Sequence, residues 1–257
     1  MSDAATGTRR ALVTGGSRGI GRAIVERLAA DGLSVVTVGR DRAALDSVTA
    51  AATDQGLQVE PAVCDVTDED AVAALFARAG PVDVLVANAG ISASAPVHRT
   101  TLDDWNRQLL VNATGVFLTV RAALPAMRER DHGRVVVVAS VAALHGARYI
   151  AAYTASKHAA LGFTRSLAAE VAGTGITANA VCPGYVDTPM TEAGIANIVA
   201  RTDHDAAGAK AFLEQQQPLG RLITPDEVAA TVAFLASDAA APINGQTVVL
   251  DGGAIQH

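Results

Sequence analysis

The feature that most constrains the fold of this chain is a regular alternation of short apolar runs with longer segments of helical spacing. Seven apolar runs are candidate strands, at 10–14, 34–39, 58–64, 82–87, 133–139, 176–182 and 246–250. Six candidate helices lie among them, at 19–31, 41–54, 68–79, 101–129, 150–173 and 224–237. Because parallel strands are joined by helical crossovers, this alternation predicts an α/β fold with a doubly wound, seven-stranded parallel sheet and helices on both faces. The chain of 257 residues is long enough for one such domain.

A glycine-rich turn joins the first candidate strand to the first candidate helix. Thr14, Gly15, Gly19 and Gly21 follow the pattern T-G-x-x-x-G-x-G directly after the apolar run. Glycine lets the backbone approach a pyrophosphate closely, and the helix that follows points free N–H groups at it. The turn therefore predicts a dinucleotide-binding, Rossmann-type sheet, whereas a plain tight loop is the alternative for the turn taken alone.

Three further residues have the side chains that acid–base chemistry uses. Tyr153 and Lys157 are four apart in a candidate helix and would share one face, and Ser140 lies thirteen residues before the tyrosine. A phenol has a reference pKa near ~10, and a lysine cation beside it is predicted to lower the pKa of Tyr153 toward neutrality. Ser140 could then hold a carbonyl oxygen while Tyr153 supplies the proton. Tyr-x-x-x-Lys alone is a weak signal, because it occurs often by chance.

Together these motifs resemble the short-chain dehydrogenase/reductase family, over roughly residues 8–253. Shorter pieces that match the family are Cys64-Asp65-Val66, Asn88-Ala89-Gly90, Val111-Asn112-Ala113-Thr114-Gly115, Pro183-Gly184 and Asp251-Gly252-Gly253. The resemblance implies one dinucleotide-binding domain over 1–257 and an enzyme that moves a hydride between a nicotinamide cofactor and a ketone or secondary alcohol. One departure from the family pattern is Ala87, which stands where the family often has an asparagine. The strand-end hydrogen bond of that asparagine is therefore not expected here.

The resemblance also assigns roles to residues. The implied catalytic residues are Asn112, Ser140, Tyr153 and Lys157. In the family, the asparagine holds a local helix distortion and a water that relays protons to the lysine, and the lysine also contacts the nicotinamide ribose. A satisfied core amide is the alternative for Asn112.

Cofactor contacts are expected along much of the chain. They are Gly15, Ser17, Arg18, Gly19, Ile20, Gly21, Arg40, Asp65, Val66, Asn88, Ala89, Gly90, Tyr153, Lys157, Pro183, Gly184, Val186 and Thr188. Asp65 is expected at the adenine ring, with a helix N-cap as its alternative role, and Thr188 is expected at the nicotinamide carboxamide.

Positions that flank the catalytic residues are expected to line the substrate pocket. They are Ser140, His145, Tyr149, Ile150, Tyr153 and Tyr185. Residues 187–220 break the alternation with two short helical pieces, and a long insertion after a strand lies over the ligand crevice of such sheets. We therefore expect a lid over the substrate, with a surface excursion without function as the alternative. Pro125 is predicted to kink or divide the helix over 101–129.

The end of the second candidate strand bears on the choice of cofactor. An acidic residue there would bind the ribose 2′-hydroxyl and repel a 2′-phosphate, but the sequence has Val38-Gly39-Arg40. Arg40, with Arg18 in the glycine turn, offers planar paired donors for a phosphate. The sequence therefore predicts a preference for NADP(H). Use of NAD(H), with Arg40 solvated beside Asp41, is the alternative.

The substrate class follows from resemblance alone. Segments 155–158 and 182–190 are similar to 3-oxoacyl and polyketide ketoreductases and to 3-hydroxybutyrate dehydrogenases, which act β to a carboxyl or thioester carbonyl. We expect reduction of a 3-oxoacyl thioester or a small β-keto compound. The alternatives are a carbonyl reductase or alcohol dehydrogenase for free aryl or cyclic ketones, and an NAD-dependent 3-hydroxyacid dehydrogenase.

Carrier-protein-dependent reductases tend to have basic residues before the fifth and sixth strands. Asp131 and Thr174 stand near those places here, which disfavours docking of an acidic carrier protein. Arg128, Arg130 and Arg134 lie close enough to leave the question open.

Composition argues against several other classes. The net charge is −6 with dispersed basic residues, so neither nucleic acid nor an anionic membrane is an expected partner. No stretch approaches ~18 uninterrupted apolar residues, and residues 1–4 do not begin a secretory signal. Cys64 and Cys182 lack metal or redox spacing and fit reduced thiols of a cytoplasmic protein, and no metal is expected.

Two other classes of protein fit the sequence less well than an enzyme of this kind. A dinucleotide sensor or scaffold would not need Tyr153 and Lys157, and an epimerase or dehydratase usually has a larger C-terminal substrate domain, for which this chain has no room. The resemblance implies a homo-oligomer, a dimer or tetramer built on the helices near 101–129 and 150–173 together with the C-terminal region. The sequence does not give the number of copies, which a sedimentation or light-scattering measurement determines.

Overall fold

The apolar runs form a single parallel sheet in the structure, a computed structural model that describes residues 8–255. Its seven strands run in the order β3-β2-β1-β4-β5-β6-β7. They are β1 (Arg10–Thr14), β2 (Ser34–Gly39), β3 (Val59–Val63), β4 (Val84–Ala87), β5 (Gly133–Val138), β6 (Ile176–Pro183) and β7 (Thr247–Leu250). The order reverses between β1 and β4, which opens a crevice at the carboxyl ends of these strands. The predicted doubly wound α/β fold is confirmed. The N-terminal residues 1–4, for which no secretory signal was predicted, lie outside the described residues.

Helices connect the strands on both faces of the sheet. They are α1 (Gly19–Ala30), α2 (Arg42–Thr53), α3 (Glu69–Ala79), α4 (Leu102–Leu109), α5 (Gly115–Glu129), α6 (Ala151–Glu170), α7 (Pro189–Val199), α8 (Ala206–Gln215) and α9 (Pro225–Ala236). Helices α7 and α8 are the two short pieces predicted within 187–220.

Side chains of the central strands alternate between two apolar layers. In β1, Leu12 belongs to the layer under α3, α5 and α6, whereas Ala11 and Val13 belong to the layer under α1 and α9. Every residue of β5 and β6 is buried, as expected for strands covered on both faces. This double cover leaves the ends of the strands as the place for a site.

The long predicted helix is interrupted, but Pro125 does not divide it. Residues Leu110–Thr114 form a π-helical turn between α4 and α5, and Pro125 lies inside the continuous helix α5. Pro125 is exposed, so the carbonyl four residues earlier, which loses its helical donor, can be hydrated. The predicted division at Pro125 is therefore wrong, and the helix is distorted at Asn112, where the resemblance implied a local distortion.

The stretch Leu102–Glu129 is long and apolar enough to cross a membrane by length and composition, and an 18-residue window within it has a mean hydropathy of 1.5. This differs from the expectation above, which counted only uninterrupted apolar residues. Val116, Leu118 and Val120 of this stretch pack into the core beneath the sheet. These contacts account for part of the apolarity of this stretch. Other large apolar side chains of the stretch are exposed, among them Leu102, Leu110 and Phe117.

Candidate active site

A cavity of about 2390 Å³ opens at the carboxyl ends of the strands, where the strand order reverses. Its walls come from the glycine turn after β1, the ends of β2 to β6, the first turns of α6 and the segment 187–217. The site is thus assembled from loops that the rigid sheet holds in place.

The glycine turn is shaped so that only glycine fits at its key positions. Gly15 and Gly19 have φ angles of +67° and +52°, which disfavour side chains. A Cβ on Gly21 would stand 2.0 Å from the carbonyl oxygen of Gly15. Helix α1 begins at Arg18 without a side-chain cap, so its first N–H groups face the cavity unpaired by a side chain. An uncapped helix start behind a tight glycine turn fits the pyrophosphate of a dinucleotide.

Thr14 and Asn88 hold the glycine turn against the end of β4. The hydroxyl of Thr14 accepts hydrogen bonds from the backbone N–H groups of Asn88 and Ala89, both at 3.0 Å. The Asn88 amide donates to the carbonyl of Thr14 at 2.9 Å. Thr14 was absent from the predicted site, although a polar residue ending an apolar strand could have marked it. Ala87, the departure from the family pattern, is a buried core residue of β4.

The three residues proposed for acid–base chemistry meet at the end of β5. Ser140 follows this strand, and its Oγ accepts from the backbone N–H of Ala142 at 3.1 Å. Tyr153 lies in the first turn of α6, and Lys157 follows one turn later on the same face. The Nζ of Lys157 donates to the carbonyl of Val138 at 2.9 Å and lies 5.8 Å from the Tyr153 ring centroid. All three side chains line the cavity.

The pKa of Tyr153 moves opposite to the predicted direction. Burial raises the pKa of Tyr153 to about 12, and the hydrogen bond with Ser140 offsets only part of this rise. Burial also lowers the pKa of Lys157 to about 8. The prediction that Lys157 brings the pKa of Tyr153 toward neutrality is therefore wrong for this structure, because desolvation of the phenol dominates. A phenol that keeps its proton at neutral pH is suited to donate it, as reduction of a carbonyl requires.

Asn112 lies behind the cavity wall in the π-helical turn. Its Oδ1 accepts from the backbone N–H of Ile91 at 2.8 Å, and its Nδ2 donates to the carbonyl of Ile91 and to Ser156 Oγ, both at 2.9 Å. Ser156 Oγ in turn donates to the carbonyl of Tyr153 at 2.7 Å. The side-chain amide is thus satisfied within the protein and ties the loop after β4 to the catalytic helix. The expected proton relay through a water at Asn112 stays a prediction.

Most predicted cofactor contacts line the cavity. They are Gly15, Ser17, Arg18, Gly19, Ile20, Gly21, Arg40, Asp65, Val66, Asn88, Ala89, Gly90, Tyr153, Lys157, Gly184 and Thr188. Pro183 and Val186 do not. Pro183 is buried at the end of β6, and Val186 is buried in a bridge to Ile223.

Asp65 is not the cap of the next helix. Asp68 caps α3 by accepting from Ala71, whereas Asp65 accepts from the N–H and the hydroxyl of Thr67. The carboxylate of Asp65 also lies 3.7 Å from the guanidinium of Arg40. Burial raises the pKa of Asp65, but the Thr67 hydrogen bonds and the charge of Arg40 outweigh it, so the net shift is downward. An ionised Asp65 therefore faces the predicted phosphate ligand Arg40.

Thr188 lies between the lid segment and the glycine turn. Its hydroxyl caps α7 by accepting from the N–H of Thr191 at 3.4 Å. A Cβ on Gly19 would stand 3.2 Å from its methyl group. The nicotinamide contact proposed for Thr188 stays a prediction.

The predicted substrate positions all reach the cavity wall. They are Ser140, His145, Tyr149, Ile150, Tyr153 and Tyr185. Tyr149 has a φ of +68°, a strained conformation for a bulky residue, and Ala95 N–H donates to its carbonyl at 2.7 Å. The segment 187–217 faces them across the cavity with α7 and α8. Among residues 8–255, no group of three or more His, Cys, Asp or Glu side chains is placed to hold a metal ion.

The arrangement of these side chains defines a class of chemistry. A protonated phenol and a serine hydroxyl converge in a cavity whose other end is shaped for the phosphates of a dinucleotide. These are the parts that an NAD(P)-dependent oxidoreductase contributes, since the cofactor itself supplies the hydride.

Comparison with known proteins agrees with this class. The profile of a family described as enoyl-(acyl carrier protein) reductase matches residues 15–254. An acetoacetyl-CoA reductase of Shinella zoogloeoides is 40% identical over 252 residues, which cover 96% of this chain and 98% of that protein. A 3β-hydroxysteroid dehydrogenase of Mediterraneibacter gnavus is 41% identical over 257 residues, covering 94% of this chain and 93% of its own.

A solved structure shares the whole fold. The NADPH complex of an actinorhodin polyketide ketoreductase variant has a TM-score of 0.93 and 37% identity, covering 97% of this chain and 98% of that one. The chain therefore belongs to the short-chain dehydrogenase/reductase family, and it is an NAD(P)-dependent oxidoreductase. The resemblance and the enzyme class predicted from the sequence are both confirmed.

Proposed function

We propose that this enzyme uses NADP(H) to reduce the ketone of a 3-oxoacyl thioester or small β-keto compound to the 3-hydroxy product. The observation that carries the proposal is the convergence of Tyr153 and Ser140 on one cavity with the glycine turn. Ser140 and Tyr153 hold the substrate oxygen, and Tyr153 donates its proton to that oxygen as the alcohol forms. The reduced nicotinamide, when bound, supplies the hydride to the carbonyl carbon.

Lys157 has two functions in this proposal. It is held by the carbonyl of Val138, and a Cβ on Gly90 would stand 3.5 Å from its Nζ. From this position the ammonium would donate to the nicotinamide ribose and return a proton to Tyr153 after each turnover. Its lowered pKa favours such proton exchange near neutral pH.

NADP(H) is proposed over NAD(H) because two arginines and no acidic selector stand where the adenosine ribose would lie. Gly39 ends β2, Arg40 follows it, and Arg18 precedes α1. Asp65 holds Arg40 at 3.7 Å within the cavity and competes with a phosphate for it. The NADPH-bound structural neighbour supports the same cofactor.

Wild-type kcat/KM is expected to be higher with NADPH than with NADH, and Arg40→Gln should remove much of that difference. Loss of one charged hydrogen-bonding partner of a phosphate should lower kcat/KM for NADPH by about 10- to 100-fold. The value for NADH should change little, because NADH has no 2′-phosphate. Steady-state rates with both cofactors measure this, and Arg42→Gln is the matched control, since Arg42 is exposed and outside the cavity. Equal or better kcat/KM with NADH in the wild type would contradict the proposal.

The substrate assignment is supported by the relatives and by the arginines near β5. The acetoacetyl-CoA reductase and the polyketide ketoreductase act on β-keto substrates by their names. Arg134 is buried and donates to the carbonyl of Gly175, and Arg130 donates to the carbonyl of Val82. Both lie near the amino end of β5, opposite the cavity, so they are poorly placed to dock a carrier protein at its mouth. These two arginines therefore give no support to carrier-protein docking, and the proposal is made for a free thioester such as a CoA ester.

The substrate class is tested by NADPH oxidation against acetoacetyl-CoA, ethyl acetoacetate, a monocyclic ketone and a steroid ketone. We expect the highest kcat/KM with a β-keto compound. The runner-up is a free aryl or cyclic ketone, which the 3β-hydroxysteroid dehydrogenase relative favours. Good rates on the cyclic ketones with no turnover of either β-keto compound would replace the proposal by this alternative.

We also propose that copies of the chain associate as a dimer or tetramer through α4, α5 and α6. Large apolar side chains remain exposed along this face, among them Trp105, Leu110 and Phe117. Phe117 packs edge-on against Phe163 of α6, so the two helices present one apolar surface. A cytoplasmic location is supported by Cys64 and Cys182, which are both buried as free thiols.

Residues 187–220 are proposed as a lid over the substrate, and their part up to Gln217 lines the cavity. Asn197 of α7 and Arg201, just after this helix, reach across to Ser94 in the loop after β4. These contacts bridge two walls of the cavity, so the segment would have to move to admit a bulky substrate.

A further inference from the structure

Unpaired positive charge is concentrated in the cavity of this acidic protein. Twelve of the twenty lysine and arginine residues form an ion pair among residues 8–255, and only Arg40 of these twelve lines the cavity. Five of the remaining eight line it: Arg18, Arg99, Arg148, Lys157 and Arg201. The net charge of the chain is −6, so this concentration is local.

The carboxylates of the cavity wall do not neutralise these cations. Asp41 caps α2, Asp65 pairs with Arg40, and Asp104 pairs with Arg107. Asp251 accepts from the backbone N–H groups of Gly253 and Ile255. The carboxylates keep their charge in these contacts, but four of them stand against six basic side chains on the wall, so the formal charge of the cavity is positive and attracts anions.

Three of the unpaired arginines, Arg99, Arg148 and Arg201, line the cavity on neighbouring segments that backbone contacts hold together, and we call them the arginine rim. Arg201 donates to the carbonyl of Ser94 at 3.2 Å, and the next residue, Ala95, donates its N–H to the carbonyl of Tyr149 at 2.7 Å. Arg148 directly precedes Tyr149, and Arg99 ends the short 3₁₀ turn that follows Pro96. The rim thus spans the turn after α7, the loop after β4 and the loop before α6.

The arginine rim belongs to the substrate side of the cavity. Arg18 and Lys157 lie at the glycine turn and at the proposed ribose position, where the cofactor accounts for them. The rim instead follows the loop that leads into Tyr153, since Arg148 is five residues before it. Cofactor phosphates therefore do not explain the charge of the rim.

We propose that the arginine rim binds an anionic group at the far end of the substrate, a phosphate or a carboxylate, while the ketone reaches Tyr153 and Ser140. This inference rests on the proposed ketone reduction and narrows it, because neutral ketones would leave the charge of the rim unused. Guanidinium groups bind both phosphate and carboxylate through paired N–H donors. The two anions are therefore distinguished by experiment.

The test compares matched charged and neutral ketones. Acetoacetyl-CoA is paired with the neutral N-acetylcysteamine thioester of acetoacetate, and 4-oxocyclohexanecarboxylate is paired with its ethyl ester. The variants are Arg148→Gln, Arg201→Gln and the double variant, with Arg201→Lys as the charge-conserving variant. Arg78→Gln is the matched control, because Arg78 is exposed, has no ion pair among residues 8–255 and lies outside the cavity.

The double variant should lower kcat/KM for the preferred anionic ketone by about tenfold, mainly through KM, since the contacts are partly exposed and charge-assisted. For the neutral ketones, kcat/KM should change little in the double variant. For the anionic ketone, Arg201→Lys should keep part of the wild-type kcat/KM, and Arg78→Gln should have the wild-type kcat/KM. Raising the salt concentration should weaken the wild type on the anion more than the double variant, because salt screens exposed charges. A loss confined to the CoA pair assigns a phosphate end, and a loss confined to the carboxylate pair assigns a carboxylate end.

Equal losses on charged and neutral partners, or a wild-type preference for the neutral partners, would overturn the arginine rim as an anion site. If the variants lowered turnover of the charged cyclic ketone but the enzyme turned over neither β-keto compound, the arginine rim would be supported as an anion site. The proposed β-keto substrate would then be rejected. Wild-type turnover of neither pair would overturn both.

Discussion

Tyr153→Phe is expected to abolish turnover while leaving the affinity for NADPH nearly unchanged. The ring keeps its place in the first turn of α6, and only the hydroxyl that donates the proton is lost. Removal of a positioned general acid should lower kcat by about 10²- to 10⁴-fold. Steady-state NADPH oxidation and fluorescence titration of bound NADPH measure the two quantities separately.

Tyr185→Phe is the matched control, because Tyr185 also lines the cavity but lies away from Ser140 on the segment after β6. This variant should change KM more than kcat. The pH dependence gives a second readout. With a Tyr153 pKa raised to about 12, the phenol stays protonated below that pH, so reduction does not lose its acid as the pH rises through neutrality. Oxidation of the alcohol requires the phenolate, so its rate should increase with pH. Substantial activity in Tyr153→Phe would remove the tyrosine from the mechanism.

Gly21→Ala is expected to destroy NADPH binding and to destabilise the fold. The new methyl group would stand 2.0 Å from the Gly15 carbonyl oxygen and 2.5 Å from Asn88 Nδ2, so the glycine turn and the start of α1 must move apart. Overpacking of this kind typically costs about 1–3 kcal/mol of unfolding free energy, and more where the neighbour is backbone. Urea unfolding and NADPH titration should both show large losses.

Gly162→Ala is the control for this variant. Gly162 lies within α6, and a Cβ there would meet no atom within 4 Å. Alanine favours a helix over glycine by up to about 1 kcal/mol, so this variant should be as stable as the wild type or more stable, with unchanged NADPH affinity. If Gly21→Ala bound NADPH as tightly as Gly162→Ala, the glycine turn would not be the phosphate site.

Most of the element map could be predicted from local patterns. The predicted strands 10–14 and 34–39 coincide with β1 and β2, and the other strand boundaries differ by one or two residues. Such boundaries can be predicted because strands buried on both faces are continuous apolar runs, whereas helices have apolar residues with a period near 3.6. The glycine turn could also be predicted from local sequence, since its glycines and the start of the uncapped helix α1 lie within eight residues of Thr14.

The misses arose where distant parts of the chain meet. Pro125 was wrongly predicted to divide the long helix, which instead is interrupted at Asn112, where the resemblance implied a distortion. The side chain of Asn112 bonds Ile91 and Ser156 across 21 and 44 residues of sequence. A proline on an exposed face is tolerated, whereas a buried amide must find its partners.

The sequence alone determined the α/β class, the doubly wound parallel sheet, the glycine turn and the pairing of Tyr153 with Lys157, because each depends on periodicity or on spacing within one element. Only the tertiary structure decided the pKa of Tyr153, the pairing of Arg40 with Asp65 and the arginine rim. These depend on desolvation and on contacts between loops that the sheet brings together from remote positions. Local sequence patterns do not predict desolvation or these loop contacts, since both arise only when the folded chain is packed.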